Sequence, residues 1–131
     1  MEKAKGVILC VDDDQDTRDL LTVLLGSQGY EVIATAKAEE ALWRAMADKF
    51  DLILLDCVLE DGTGINLCIE LRRIGIDAPI LFYSGMGDRD EIENAMSAGA
   101  QGFLVKPAAF EEVLQNVSRF IPDTYQSQHV N

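Results

Sequence analysis

The chain has 131 residues, 48% of them hydrophobic, with a formal charge of −12 and a pI near 4.3. That is about one domain's length, and that hydrophobic share excludes a disordered chain. The acidity argues against nucleic acid and anionic membranes, which are bound through basic patches, and no apolar run approaches the ~20 residues of a bilayer span.

The segment Met1–Gly6 holds no apolar stretch of signal-peptide length, so a cytoplasmic location is expected. The run Gly6-Val-Ile-Leu-Cys-Val11 predicts a strand at 7–11 and ends on Asp12 and Asp13. Runs this short and apolar suit parallel strands covered on both faces. Asp14 and Asp16 read as a helix cap and a first-turn acid. Leu20, Leu21, Leu24 and Leu25 then form a helical stripe, closed by Gly29, where a left-handed helix end favours glycine. A second strand is predicted at 30–34, followed by a stripe of Ala41, Leu42, Ala45 and Met46. A third strand, 51–55, ends on Asp56, and Ile65, Cys68 and Ile69 open the third helix. The fourth strand, 79–83, is followed by Ser84. Asp88 with Glu91 resembles a capping pair for the helix carrying Ile92, Ala95 and Met96, which Gly99 ends. The fifth strand, 102–105, is followed by Lys106. Phe110, Val113, Leu114, Val117 and Ile121 then repeat at helical spacing. Residues 122–131 are polar and patternless, a tail or the start of a linker, which leaves one domain over 1–121.

Five strand–helix alternations imply right-handed βαβ units. The fold class is α/β, a doubly wound five-stranded parallel sheet with helices on both faces. Cys10, Cys57 and Cys68 are odd in number and form no CxxC, so they read as small buried hydrophobes rather than a disulfide framework or zinc site.

Asp12, Asp13, Asp56, Ser84 and Lys106 all stand at strand ends. In such a sheet these ends share the edge where α/β proteins bind ligands. Three converging carboxylates need a cation, because like charges otherwise drive one another toward protonation. With Lys106 the site is formally −2, which one divalent cation neutralises. Oxygen ligands favour magnesium or calcium. These residue types fit phosphoryl transfer: a carboxylate nucleophile in Asp56, with Lys106, a metal and the Ser84 hydroxyl on the phosphoryl oxygens. Taken singly, each residue is equally a cap, a turn residue or a strand exit. Their convergence on one edge is what favours function.

The chain resembles the response-regulator receiver domains of two-component signalling. The resemblance rests on Val7-Ile-Leu-Cys-Val-Asp-Asp-Asp14, Asp51-Leu-Ile-Leu-Leu-Asp56 with Gly64 eight residues later, Pro79-Ile-Leu-Phe-Tyr-Ser84, and Gly99-Ala-Gln-Gly-Phe-Leu-Val-Lys-Pro107, in family order over about 7–121. It implies a flavodoxin-like (βα)5 fold with sheet order 2-1-3-4-5. It implies Asp56 as phosphoacceptor, Mg²⁺ on Asp13, on Asp12 directly or through water, and on the Val58 backbone carbonyl, and Lys106 paired with Asp56. It implies Ser84 as a switch hydroxyl, Phe103 as a switch aromatic or plain core packing, and a cis Lys106–Pro107 peptide. The implied donor is a phosphohistidine of a sensor histidine kinase or histidine phosphotransfer protein. The implied outputs are an effector partner or domain and a homodimer through the fourth helix, fifth strand and fifth helix. The chain is expected to be a switch, not an enzyme.

Two positions replace residues usual in the family, and two more, Val58 and Met86, fall at positions that vary within it. Glu60 replaces a usual proline, which predicts a looser loop over Cys57–Thr63, and Gly85 replaces a usual alanine, which predicts mobility. Val58 and Met86 are apolar at the two positions flanking the phosphoryl group, which predicts a long-lived phosphoaspartate. Three rival readings stand beside the switch. An aspartyl phosphatase of the haloacid-dehalogenase type wants an acid at Val58. A flavodoxin-like carrier wants a Ser/Thr/Gly-rich loop where Asp12-Asp13-Asp14 stands. A degenerate docking receiver is opposed by the intact acids, hydroxyl and lysine.

Overall fold

A computed structural model describes residues 3–122, so the predicted tail lies outside the described residues from 123 onward. The chain runs β1 (Val7–Val11), α1 (Gln15–Ser27), β2 (Glu31–Thr35), α2 (Ala38–Ala47), β3 (Leu52–Leu55), β4 (Val58–Leu59), β5 (Gly62–Thr63), α3 (Gly64–Arg73), β6 (Ile80–Ser84), α4 (Arg89–Ala98), β7 (Gly102–Val105) and α5 (Phe110–Phe120). Five strands form one sheet in the order β2-β1-β3-β6-β7, every pair parallel. Counted within the sheet, that is the expected 2-1-3-4-5.

The apolar runs are explained by burial on both faces. Leu9, Val11, Ile53 and Leu55 pack with Ala41, Ala45, Leu67, Cys68, Leu71 and Ala95 of α2, α3 and α4. Their neighbours Ile8, Cys10, Leu52 and Leu54 pack with Leu21, Leu25, Val113 and Val117 of α1 and α5. Each buried Leu or Ile contributes about 1.5–3 kcal/mol, with no position left for a polar residue. Four members of the predicted stripes, Leu20, Met46, Ile69 and Met96, are exposed. The arc of each helix that meets the sheet is narrower than its apolar stripe.

Three strands shift by one residue, β2 and β6 at both ends and β3 at its start, Leu52. The Tyr30 amide donates to Leu25 O at 3.2 Å and closes the end of α1, so β2 begins at Glu31. Ser84 is the last residue of β6, not the residue after it, because it pairs with Val105. Gly29 and Gly99 both have positive φ, 97° and 115°, as their places at helix ends predict. Asp14 caps α1 by accepting from the Thr17 amide, and Asp88 caps α4 by accepting from the Glu91 amide.

The segment after Asp56 corrects an expectation. In place of a loose loop, β4 and β5 form an antiparallel hairpin with Val58 opposite Thr63 and Leu59 opposite Gly62. The Glu60 amide donates to Ala36 O at 3.0 Å. A proline at this position has no N–H to give. Losing the rigid ring therefore adds a tie to the structure. Around Gly85, by contrast, nothing within 4 Å would meet a Cβ, so packing does not demand glycine there.

Candidate functional site

The register of β1 against β3 places Cys10 beside Leu54 and Val11 beside Leu55. The residues just beyond, Asp12 and Asp56, therefore leave the sheet side by side. Their backbones are fixed there: the Asp56 amide donates to Val11 O at 2.9 Å, and the Asp12 amide to Thr35 O at 3.0 Å. Asp12 and Asp56 are 2% and 7% exposed, and Asp13 is exposed. One carboxylate oxygen from each of the three lies within 4.8 Å of the others. Lys106 reaches this cluster from the end of β7. Its Nζ donates to Asp12 Oδ2 at 2.8 Å and to Asp56 Oδ2 at 3.3 Å. Its peptide bond to Pro107 is cis, as expected.

Ser84 ends β6, the strand beside β3, and Phe103 lies within β7, the next strand along. The Ser84 hydroxyl is buried and accepts from the Met86 amide at 3.2 Å. Phe103 lies opposite Phe82 across β6 and β7, with ring centroids 5.6 Å apart and the planes 3° from parallel. In this state its ring is core packing. Val58 and Met86, two residues beyond Asp56 and Ser84, are 46% and 49% exposed.

Asp14, Arg18 and Gly64 complete the site, in roles that the sequence reading did not give them. Asp12 Oδ1 accepts from the Asp14 amide at 2.9 Å, so the cap of α1 and the pocket acid share one turn. The Arg18 guanidinium donates to Asp12 O at 2.8 Å. Arg18 lies on the first turns of α1, but nothing in its spacing marks a return to the strand end. Gly64 is the clearest of these. A Cβ there would stand 2.0 Å from the Asp56 carbonyl oxygen. The motif match carried Gly64 without a reason, and this close approach supplies one.

The electrostatics follow from burial. Desolvation raises the Asp12 pKa, and the Asp56 charge adds to it, against the opposing bonds from Lys106 and the Asp14 amide. Burial alone would pull the Lys106 ammonium down, but the Asp12 and Asp56 carboxylates together hold it above its ordinary value. Burial and the Asp12 charge push the Cys10 thiol up to about 12, and burial also raises Cys57 and Cys68. All three are free and buried, as small buried hydrophobes are expected to be. The donor set suits a hard divalent cation: three carboxylates, one reachable from solvent, and one buried acid that resists carrying its charge uncompensated.

A family model described as the response regulator receiver domain matches residues 8–118. The chain belongs to this family. The receiver domain is 38% identical over 113 residues to nodulation protein W of Bradyrhizobium diazoefficiens, covering 86% of this chain and 50% of that protein. It is 35% identical over 127 residues to the two-component response regulator PhoP of Pseudomonas aeruginosa, covering 92% and 56%. Among solved structures, a two-component response regulator from Clostridium difficile matches with a TM-score of 0.83 at 30% identity, covering 87% of this chain and 93% of that one. Chemotaxis protein CheY4 of Vibrio cholerae matches with a TM-score of 0.83 at 30% identity, covering 91% and 99%. The receiver domain spans about half the length of the curated relatives it matches, at 50% and 56%. Membership supports a phosphoacceptor role in two-component signalling and sets aside the flavin-carrier reading. Among the described residues, no helix is long and apolar enough to cross a membrane.

Proposed function

We propose that Asp56 accepts a phosphoryl group from a phosphohistidine of a sensor kinase or histidine phosphotransfer protein. A carboxylate oxygen of Asp56 forms the new P–O bond as the P–N bond breaks. The imidazole keeps the electron pair and takes up a proton. Mg²⁺ on Asp12, Asp13, Asp56 and the Val58 carbonyl supplies positive charge to the phosphoryl oxygens when bound. Lys106, already donating to Asp56, moves its N–H to the phosphoryl group. The Ser84 hydroxyl exchanges its contact with the Met86 amide for a phosphoryl oxygen, and the Phe103 ring follows the space it vacates. The observation that carries this reading is one ammonium bridging two buried carboxylates beside a third acid. A docking module has no use for that buried charge.

The phosphorylated form favours one conformation because the phosphoryl group binds it better. The surface of α4, β7 and α5, on which Met96 and Val105 are exposed, then meets an output partner, an output domain or a second copy. The protein acts stoichiometrically in the cytoplasm, through a domain spanning 1–121, with no turnover beyond its own phosphorylation and hydrolysis. Acetyl phosphate with Mg²⁺ tests the acceptor. Intact mass should show an adduct on the unsubstituted chain and none on Asp56→Asn, and an adduct surviving that substitution overturns the reading.

The phosphoryl lifetime is a separate prediction. The exposed side chains of Val58 and Met86 offer no hydrogen bond to orient attacking water. The phosphoaspartate is expected to be long-lived in Mg²⁺, and Val58→Asn to shorten its half-life. Rapid loss of label from the unsubstituted protein contradicts this.

A further inference from the structure

We propose that Asp61 is a positioning residue for the metal-binding loop, its carboxylate clamping the hairpin after Asp56 onto the N-terminus of α2. The inference rests on the reading that the Val58 carbonyl is a metal ligand.

Helix α2 does not cap itself. Its N-cap residue is Lys37, whose side chain makes no cap bond. The first two amides of the helix instead donate across 23 and 22 residues of sequence to Asp61. Ala38 N reaches Oδ1 at 2.5 Å and Glu39 N reaches Oδ2 at 3.1 Å. Such amides have no partner within the helix, and an anion beside them also meets the positive end of the helix dipole. Those amides hold the Asp61 carboxyl below the usual carboxylate range, so the anion makes the contact at neutral pH.

The clamp matters for what lies behind it. A two-stranded hairpin is marginal alone, and this one has two residues per strand. It is held from outside. At its base the Gly64 amide donates to Cys57 O at 2.9 Å, and at its tip the Glu60 amide donates to Ala36 O at 3.0 Å. Leu59 is buried in the core. Asp61 supplies the only side-chain hydrogen bonds from the hairpin turn among the described residues. Val58 lies between base and tip, so the placing of its carbonyl depends on both. Metal binding and the clamp must therefore strengthen each other by the same factor.

Three variants of the whole chain test this, with Mg²⁺ alone titrated by calorimetry and stability read by thermal melting. Asp61→Ala should weaken Mg²⁺ binding by about fivefold or more and lower the melting temperature. Asp61→Asn, which keeps one acceptor oxygen, should fall between. The deciding variant adds Lys37→Ser to Asp61→Ala. Lys37 already has the extended backbone of a cap, φ −118° and ψ 138°, so serine can cap α2 locally. The double variant should recover the melting temperature and keep the weak Mg²⁺ affinity. Affinity restored together with stability, or untouched by Asp61→Ala, overturns the positioning role and leaves the metal site standing. An unsubstituted chain that binds no Mg²⁺ retires the metal reading and this inference together.

Discussion

Gly64→Ala should lower stability by about 3 kcal/mol and remove phosphoryl acceptance together. An alanine Cβ would stand 2.0 Å from the Asp56 carbonyl oxygen, 2.9 Å from its carbon and 3.1 Å from Phe82 Cε2. Two of those atoms are backbone of the phosphoacceptor, and the third belongs to the largest fully buried side chain. No flexible side chain can yield. Gly64 does not have positive φ, so the problem is space and not conformation. Relief requires moving either the start of α3 or the backbone of Asp56. The first opens the packing of Leu67, Cys68 and Leu71 against the sheet. The second displaces a carboxylate whose use depends on sub-ångström placement beside Asp12 and Lys106. Gly26→Ala is the control, because nothing lies within 4 Å of a Cβ there. Urea denaturation and intact mass after acetyl phosphate check both halves. A Gly64→Ala protein of unchanged stability contradicts the steric account, and one that is destabilised yet labels normally shows that Asp56 did not move.

Gly64 also shows what the sequence could and could not reveal. Its place eight residues after Asp56 is legible, but the carbonyl that forbids a side chain there is a fact of packing. The sheet was legible because both its faces are buried, so Val7–Val11 and Leu52–Leu55 are apolar without interruption and the acids beyond them stand out. The β4–β5 hairpin was not, since two-residue strands show no alternation. Asp61 was not singled out, because the helix whose first amides it accepts from lies 22 and 23 residues earlier and no local pattern links the two. The Glu60 position misled because proline's rigidity was weighed and its missing N–H was not. Ser84 was read as following the fourth strand and is that strand's last residue, and Phe103 lies inside β7, while the contacts they make in this state, the Met86 amide and the Phe82 ring, depend on neighbours that no local pattern names.

Lys106→Met should weaken the metal-free fold by about 2–4 kcal/mol at neutral pH, and both acid and Mg²⁺ should repair most of that loss. The substitution leaves the length of the side chain nearly unchanged and removes the ammonium that donates at 2.8 and 3.3 Å to two buried carboxylates. Breaking one side of such a pair is costly because the remaining charges stay buried and unpaired. Here the loss is tempered because the Lys106 side chain is 23% exposed and water can partly replace it. The pH dependence has a definite sign. The folded pKa of Asp12 lies above its ordinary 3.8, so its charged form is the one the fold disfavours. Stability from this group therefore falls as pH rises from 3.8 through the raised value, and returns as pH is lowered again. Lys106 is among the influences that lower this pKa, so its removal moves the raised value further up and widens the window. At the alkaline end the unsubstituted protein behaves differently. Lys106 is held above its ordinary 10.5, so its contribution is complete below that value and is lost as pH rises through the folded one. The variant has no such limb to lose. Urea denaturation across this range, in chelator and then in Mg²⁺, separates these effects. The two proteins should differ most at neutral pH in chelator, and should converge in acid, in strong alkali and in Mg²⁺, which brings positive charge to the same oxygens. Parallel curves across the whole range would mean that Lys106 and Asp12 are not electrostatic partners, and the buried cluster would then need another source of its stability.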